Sequence, residues 1–208
     1  DTEKKHQYFI NKIIQSGINF DAKLFNTTYN ECLSNFNILD FYKYIMLPSL
    51  SRIGLFWLTN RISPAQEHFL SEMFKQKIYS EINDTEKDNI KKLKTWILFL
   101  PPNEHHEIGL LFSRLLLLKN GHNVIYLGAN VPLAGLQQIT NIMKIDSVLF
   151  FSISNISQID LPKTIEFLSN KLVKQNKFLV TRHNQEKLPK SNITIINSIE
   201  HFLSLISK

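Results

Sequence analysis

The stretch "NEHHE", residues 103–107, brings two histidines and two acids together within four consecutive positions. A neutral imidazole is a good ligand for a transition metal, and a nearby carboxylate can fix its tautomer. Glu104 and His106 are two positions apart, so both side chains face the same way in an extended loop. The same letters also fit an exposed polar loop that begins a helix, with Glu104 or Glu107 favouring the helix N-terminus. A simple zinc site is a weaker interpretation, because no third well-spaced ligand is evident.

A second group of chemically capable residues lies in "WLTNRISPAQEHF", which begins at Trp57 and contains Glu67 and His68. One interpretation is that these three side chains contact a common ligand. The other is that Trp57 belongs to the core of a helix bundle, while Glu67 and His68 lie on a solvated first helical turn. The pattern alone leaves both interpretations open.

Helical periodicity runs through the first part of the chain. Four helices are predicted within residues 1–82, which is the number needed for a small four-helix bundle. Pro48 predicts a kink in the third helix. Ser63 is the predicted N-cap of the fourth helix, with Gln66 completing a capping box. That helix is expected to run to about Ile82.

The second part of the chain has a different hydrophobic pattern. Residues 83–94 are polar throughout and are predicted to link two domains. From residue 95 to 208, short apolar runs alternate with helical patterns, and one of these helices is predicted to begin at Pro162. This alternation is typical of an open, five-stranded parallel sheet covered on both faces, with a flavodoxin-like strand order. The predicted fold class is therefore α/β, with a four-helix cap in front of a Rossmann-like domain.

The predicted sheet indicates where a ligand would bind. In such folds, ligands lie beyond the carboxyl ends of the strands where the strand order reverses, here between the first and third strands. The loop after the first strand contains Glu104, His105 and His106, and the loop after the third contains Ser152 and Ser154. These five residues are the candidates that follow from the fold.

Bulk properties exclude several classes of function. The net charge of +6, from 24 basic and 18 acidic residues, is spread along the chain, and its densest cluster, residues 91–94, is typical of a solvated linker rather than a nucleic-acid site. Walker-loop and zinc-finger spacings are absent, and six glycines argue against a Gly-rich dinucleotide loop. No run is long and apolar enough for a bilayer, so no membrane partner is expected. The single cysteine, Cys32, predicts a reducing and hence cytoplasmic location.

Glu104, His106 and Gly109 match the Glu/Asp-x-His-x-x-Gly pattern, so the second half of the chain resembles cobalamin-binding domains. The resemblance implies that His106 is the lower axial ligand of cobalt and that Glu104 holds His106 from behind. It also implies that Gly109 lets the backbone approach the cofactor, whose dimethylbenzimidazole tail enters a slot between sheet and helices.

The helical half resembles the cap of cobalamin-dependent, light-responsive regulators of the MerR type, in which a Trp is followed after nine residues by Glu-His. The resemblance implies that Trp57, Glu67 and His68 lie over the upper face of the corrin and shape the pocket for a 5′-deoxyadenosyl group. It does not cover the N-terminal DNA-binding domain of those regulators. Because the chain begins at Asp1 without a Met, upstream residues are expected to be missing. DNA is expected to be bound only by a domain formed by those missing residues. Assembly into a dimer or tetramer is expected by analogy.

The chain departs from the pattern of this family at three places. Leu58 follows Trp57, where light-responsive members have a cobalt-ligating His. Thr181 and Arg182 replace the Gly-Gly that usually ends the fourth strand, so their side chains could narrow the tail slot, or Arg182 could bind the phosphate of the tail. The Ser/Thr pattern after the third strand is met only loosely, by Ser152 and Ser154, for which ordinary strand-end hydrogen bonding is the alternative.

The leading hypothesis is that the chain is the cobalamin-sensing domain of a MerR-type regulator and has no enzymatic turnover. Adenosylcobalamin is the favoured form of the cofactor. The first alternative is a corrinoid carrier protein of a methyltransferase system, which shares the two-domain plan. Because carriers expose cobalt to partner enzymes and lack the upper roof, Trp57, Glu67 and His68 favour the sensor. A family member that has lost cobalamin, and a zinc protein built on "EHHE", are further alternatives.

Overall fold

The computed structural model describes residues 2–88 and 93–207 of the chain. Their helices are α1 Thr2–Ile18, α2 Ala22–Leu33, α3 Ile38–Phe41, α4 Leu47–Leu58, α5 Pro64–Asp88, α6 Glu107–Lys119, α7 Ala134–Ile142, α8 Asn155–Lys171 and α9 Ile199–Ile206. The strands are β1 Thr95–Phe99, β2 Asn123–Gly128, β3 Ser147–Ser152, β4 Asn176–Thr181 and β5 Ile193–Ile195. The described residues divide into two compact units between Lys77 and Ile78.

The first unit is helical, as predicted. Ile13 of α1, Phe25 of α2 and Phe74 of α5 are fully buried. The rings of Phe25 and Phe74 meet edge-on with their centroids 5.2 Å apart, which is a favoured aromatic geometry. Within residues 2–88, the helices group into four consecutive segments, because α3 and α4 belong to one run.

That run contains an irregular turn next to Pro48. A π-helical segment, Tyr42–Met46, joins α3 to α4, and the backbone N–H of Leu47 donates to the carbonyl of Tyr42, five residues back. Proline has no N–H and its ring crowds the preceding turn, so a regular i−4 ladder cannot continue unchanged through it. The distortion that Pro48 predicts is therefore present as a widened turn just before it.

The start of α5 follows the predicted capping pattern in part, since the backbone N–H of Ser63 donates to Oε1 of Gln66 at 2.8 Å. The predicted end of this helix at about Ile82 is wrong, because α5 continues to Asp88. Contacts of residues beyond Ile82 accompany the extension: Oε1 of Glu86 accepts from Arg114 at 2.7 Å, and Nζ of Lys87 lies 2.9 Å from Oδ1 of Asp84. Residues 89–92 of the predicted linker lie outside the described residues, and the predicted domain limits at 82 and 94 stay a prediction.

The second unit contains the predicted parallel sheet. Across residues 93–207 the strand order is β2-β1-β3-β4-β5, which confirms the flavodoxin-like arrangement. β1 pairs with both β2 and β3, so the strand order reverses there. One face of the sheet packs against α7 and α8, with Phe150 of β3 and Leu161 and Ile165 of α8 in a common core. The carboxyl ends of β1 and β3 thus lie next to each other, as the sequence predicted.

Helix α8 begins earlier than predicted. It starts at Asn155 rather than at Pro162, and Pro162 lies inside it. The Oγ of Ser154 accepts the backbone N–H of Ser157 at 3.0 Å, so Ser154 is an N-cap. This brings the helix N-terminus directly to the end of β3. In the described residues, no helix has both the length and the apolar character that a membrane crossing requires.

Candidate functional site

His106 is the last residue of the loop between β1 and α6 and the N-cap residue of α6. Its side chain is 62% exposed, whereas the side chain of Glu104 is completely buried. The exposed polar loop that the sequence also allowed is therefore wrong for Glu104. The loop presents its histidine outward and its acid inward.

One oxygen of Glu104 holds the histidine loop. Oε1 accepts the backbone N–H groups of His105 at 2.9 Å and His106 at 3.1 Å. The same oxygen lies 2.6 Å from Nδ1 of His106. Glu104 therefore fixes both the backbone turn and the imidazole ring of His106.

The other oxygen of Glu104 holds the loop after β3. Oε2 accepts the backbone N–H groups of Ile153 at 2.7 Å and Ser154 at 2.8 Å, and the hydroxyl of Ser157 at 2.8 Å. These partners are 49 to 53 residues away along the chain. A single buried carboxylate thus ties together the two loops at which the strand order reverses.

The protonation of Glu104 follows from these contacts. Burial alone would raise its pKa, but the hydrogen bonds from His106, Ser154, Ile153 and Ser157 outweigh burial and hold the pKa far below its usual range. An ionised carboxylate only accepts hydrogen bonds, so Nδ1 of a neutral His106 must carry the proton. The lone pair of the ring is then on Nε2, and this is the nitrogen at which a metal would bind.

The two predicted serines support this carboxylate. Ser152 is fully buried, and its Oγ lies 2.9 Å from the Oγ of Ser157. Ser154 donates its N–H to Glu104 and caps α8. The strand-end hydrogen bonding proposed as the alternative for these serines is what the structure contains. Their assignment as cofactor-binding residues remains a prediction.

The sequence interpretation missed Ser157, which contacts Glu104 directly. The available signal was the N-cap pattern Ser-x-x-Ser at residues 154–157, which predicts a helix start at this point rather than a loop. Recognising that helix would have placed Ser157 in the first turn, beside the end of β3.

Gly109 lies in the first turn of α6 and packs against Phe151 of β3. A Cβ built on Gly109 would lie 2.7 Å from Cε2 of the Phe151 ring, a distance that real Cβ atoms do not show. Only glycine fits this position without movement of its neighbour. In this structure the group that packs closely against Gly109 is therefore the aromatic side chain of Phe151.

Thr181 and Arg182 lie at the carboxyl end of β4, where Thr181 is in register with Ser152. The Oγ1 of Thr181 accepts the backbone N–H of His183 at 3.1 Å, and Arg182 is exposed. The Nε2 of His183 is buried and has no hydrogen-bond partner among the described residues. A buried polar atom without a partner costs free energy, so a ligand group at this position would stabilise the loop.

The other three candidates belong to the first compact unit. Trp57, in the last turn of α4, is 47% exposed, so the bundle-core interpretation does not describe it. Glu67 accepts the Ser71 hydroxyl at 2.7 Å, and its Oε2 lies 3.4 Å from Nδ1 of the exposed His68. The structure thus pairs Glu67 with His68 on the first turn of α5. A cofactor role for the three residues remains a prediction.

The donor set fits a corrin-bound cobalt better than a bare metal ion. Among residues 2–88 and 93–207, no three His, Cys, Asp or Glu side chains come close enough to hold a metal ion together. A structural zinc site needs four protein ligands, and a catalytic one needs three. Cobalt in a corrin already has four equatorial nitrogens and needs a single protein ligand. His106, exposed and fixed through Nδ1, meets that requirement.

Residues 9–80 match the family described as "B12 binding domain". The HTH-type transcriptional repressor CarH of Myxococcus xanthus is 26% identical over 153 residues, 74% of this chain and 50% of the repressor. The alignment thus spans about half the length of that curated relative. The monomethylamine corrinoid protein of Methanosarcina barkeri has the same fold, with a TM-score of 0.77 and 16% identity, over 96% of this chain and 98% of that one.

The methanol:cobalamin methyltransferase complex MtaBC of the same organism is similar at a TM-score of 0.50 and 13% identity, over 96% of this chain and 80% of that one. At these identities the two structures establish the fold alone. The family match lies in the helical half, and the buried-acid and histidine pair lies in the other half. Residues 9–80 are thus similar to the B12 binding domain family, the chain is similar to about half of the repressor CarH, and it shares its fold with the two corrinoid structures.

Proposed function

We infer that this chain binds a corrinoid of the cobalamin class and works as the sensor domain of a transcriptional regulator. The observation that carries the proposal is the pairing of an exposed His106 with a fully buried, hydrogen-bonded Glu104 at the carboxyl edge of the sheet. The B12 binding domain match in the other half supports the same ligand independently.

Within this proposal His106 is the axial ligand. Glu104 keeps the imidazole in one orientation and one tautomer, and its second oxygen anchors this pair to the loop after β3. A histidine that is oriented before binding loses less conformational entropy when it becomes a ligand. When bound, cobalamin supplies a cobalt centre whose upper ligand can be exchanged or cleaved.

Three observations favour a sensor over an enzyme or a carrier. The relative CarH is a transcriptional repressor. Trp57 exposes an aromatic surface, and Glu67 and His68 form a pair, which suits residues that contact an upper adenosyl ligand. We extend the proposal to adenosylcobalamin as the cofactor, to a homo-oligomer in the cytoplasm, and to DNA contact through a separate domain.

The proposed signal is the cofactor itself or light acting on it. Leu58 carries no ligand atom, so the residue after Trp57 cannot provide a second protein bond to cobalt. A light response in this chain would therefore have to use another histidine, such as His68, or none.

A corrinoid carrier is the second candidate, since the likeness to the monomethylamine corrinoid protein extends over nearly all of both chains. The two functions differ in what the upper face requires. A sensor must distinguish upper ligands, whereas a carrier must leave cobalt open to a partner enzyme. Binding preference for adenosylcobalamin over methylcobalamin therefore separates them.

The test is a visible absorption titration in the dark with adenosylcobalamin. The wild-type chain is expected to give a spectrum with the cofactor base displaced and a histidine bound. His106→Ala is expected to lose that spectrum and to weaken binding. His105→Ala is the matched control, because it removes the neighbouring histidine of the same loop and is expected to leave the spectrum unchanged.

If His106→Ala and His105→Ala gave the same spectrum and affinity as the wild type, His106 would not be the ligand. If no corrinoid bound to the wild type, the chain would be a family member that senses something else.

A further inference from the structure

Phe151 occupies a defined position on the side of the sheet that faces α6. Side chains alternate across a strand, and Phe150 belongs to the core against α7 and α8. Phe151 is therefore directed to the opposite face, where its ring packs on Gly109 and is only 7% exposed. Gly109 follows His106 by three residues, so the ring lies beneath the helix turn that the proposed cobalt ligand begins.

The chemistry of the ligand makes this position informative. A complete cobalamin carries a nucleotide tail that ends in a flat aromatic base and can itself bind cobalt from below. If the imidazole of His106 takes that position, the base is displaced and must find an apolar place on the His106 side. A place between the sheet and α6 is next to Gly109, three residues after His106, where the helix carries no Cβ.

In this chain that space contains the ring of Phe151. Protein interiors are packed to the density of organic crystals, so a second aromatic ring cannot enter without displacing the first. Phe151 thus fills the interlayer position with an aromatic group supplied by the protein.

We propose that Phe151 is a specificity-determining residue at the position of the displaced nucleotide base, so that adenosylcobalamin binds at His106 but binds more weakly than the corresponding corrinoid without a lower nucleotide tail, of the cobinamide class. This rests on the proposed function, because it presumes that a corrinoid binds at His106. The corrin and its cobalt bind above His106 in both ligand classes, and only the tail meets Phe151.

The experiment compares adenosylcobalamin with adenosylcobinamide, which have the same upper ligand and differ in the lower nucleotide. Dissociation constants are measured for the wild type and for Phe151→Ala. The wild type is expected to bind adenosylcobinamide more tightly. Phe151→Ala is expected to shift the ratio of the two constants toward adenosylcobalamin by roughly 5- to 150-fold, the range expected when overpacking of a core is relieved. For each ligand, the dissociation constant of the variant is divided by that of the wild type. The free energy needed to detach the base from cobalt is the same in both proteins and therefore cancels in this ratio.

Phe150→Ala is the matched control, because it removes a buried ring at the neighbouring position of the same strand, on the other face of the sheet. It is expected to lower stability without changing the ratio. Phe151→Leu and Phe150→Leu repeat the comparison with a smaller loss of core volume, and circular dichroism checks that all variants are folded.

The outcomes separate the two proposals. If neither corrinoid binds to the wild type, the proposed function fails. If both bind and the ratio is the same in the wild type, the Phe151 variants and the Phe150 variants, a corrinoid binds but Phe151 does not select it. A wild type that prefers adenosylcobalamin would also overturn the inference.

Discussion

Replacing Glu104 by Gln tests whether one buried carboxylate holds the site together. Each oxygen of Glu104 has three donors within 3.1 Å, so a neutral amide can accept from only one of the two sets. The amide nitrogen is expected to turn toward the exposed His105 and His106, whose N–H groups can then bind water. The remaining donors, from the loop after β3, keep an acceptor that has lost its charge.

The size of the effect follows from these contacts. Hydrogen bonds to a charged group contribute about 1.5–3 kcal/mol each, and a buried donor left without an acceptor costs about 1–3 kcal/mol. Since half of the donors exchange the carboxylate for water and the others keep an uncharged acceptor, Glu104→Gln is expected to lower the free energy of unfolding by about 3–5 kcal/mol, as for other broken buried pairs. This is a large part of the stability of an ordinary domain.

The assay is urea unfolding followed by tryptophan fluorescence. The chain has two tryptophans, and Trp57→Phe leaves Trp96 as the reporter of the second compact unit, where it is 2% exposed. The expected result is a lower midpoint with an unchanged slope. Glu107→Gln is the control, since Glu107 accepts the Tyr126 hydroxyl at 3.3 Å in a half-buried setting, and its loss is expected to cost less than about 1 kcal/mol. Equal midpoints for Glu104→Gln and Glu107→Gln would refute the reasoning.

Three further predictions concern packing, charge and ligand choice. Gly109→Ala is expected to lower the free energy of unfolding by about 1–3 kcal/mol, because the new Cβ would meet the Phe151 ring. Gly135→Ala is the control, because the space around Gly135 is open, and it should stabilise α7 by up to about 1 kcal/mol. Equal effects of the two substitutions in urea titrations would contradict this prediction. Burial lowers the pKa of Lys177 below the ordinary lysine value of about 10.4. Between the lowered pKa and the ordinary value the unfolded chain binds more protons, so stability should rise with pH across this window. Lys177→Met should flatten the rise, and identical pH profiles for the two proteins would contradict the role of Lys177. Trp57→Ala should narrow the difference in affinity between adenosylcobalamin and methylcobalamin, and an unaltered difference in spectroscopic titrations would argue against a role for Trp57 at the upper ligand.

The architecture was predictable because its signals are local and repeated. The five apolar runs and the helical patterns between them each depend on a few neighbouring residues, and the parallel order follows from their alternation. The helix boundaries were less accurate. The start of α8 was predicted at Pro162, although the N-cap at Ser154 defines it. The end of α5 was predicted about six residues early, because the contact between Glu86 and Arg114 joins residues 28 positions apart.

The contact between Glu104 and His106 was predictable from the sequence, but the other contacts of Glu104 were not. The sequence identified Glu104 and His106 as partners, and the 2.6 Å contact between them agrees. It could not show that Glu104 is fully buried, because that burial depends on donors some 50 residues away, among them Ser157. Nor could it show that Phe151 would pack on Gly109, since this contact joins different elements.

The most direct test of the central claim is an electron paramagnetic resonance spectrum of the chain with cob(II)alamin, with and without 15N-labelled histidine. Coordination by a nitrogen ligand splits each cobalt line into a triplet, and a 15N nucleus converts the triplet into a doublet. If His106 ligates cobalt through Nε2, labelling converts triplets to doublets, and His106→Ala abolishes the conversion. A triplet that persists in the labelled protein would show that the cofactor keeps its own base, and that His106 and Glu104 are not an axial ligand and its support.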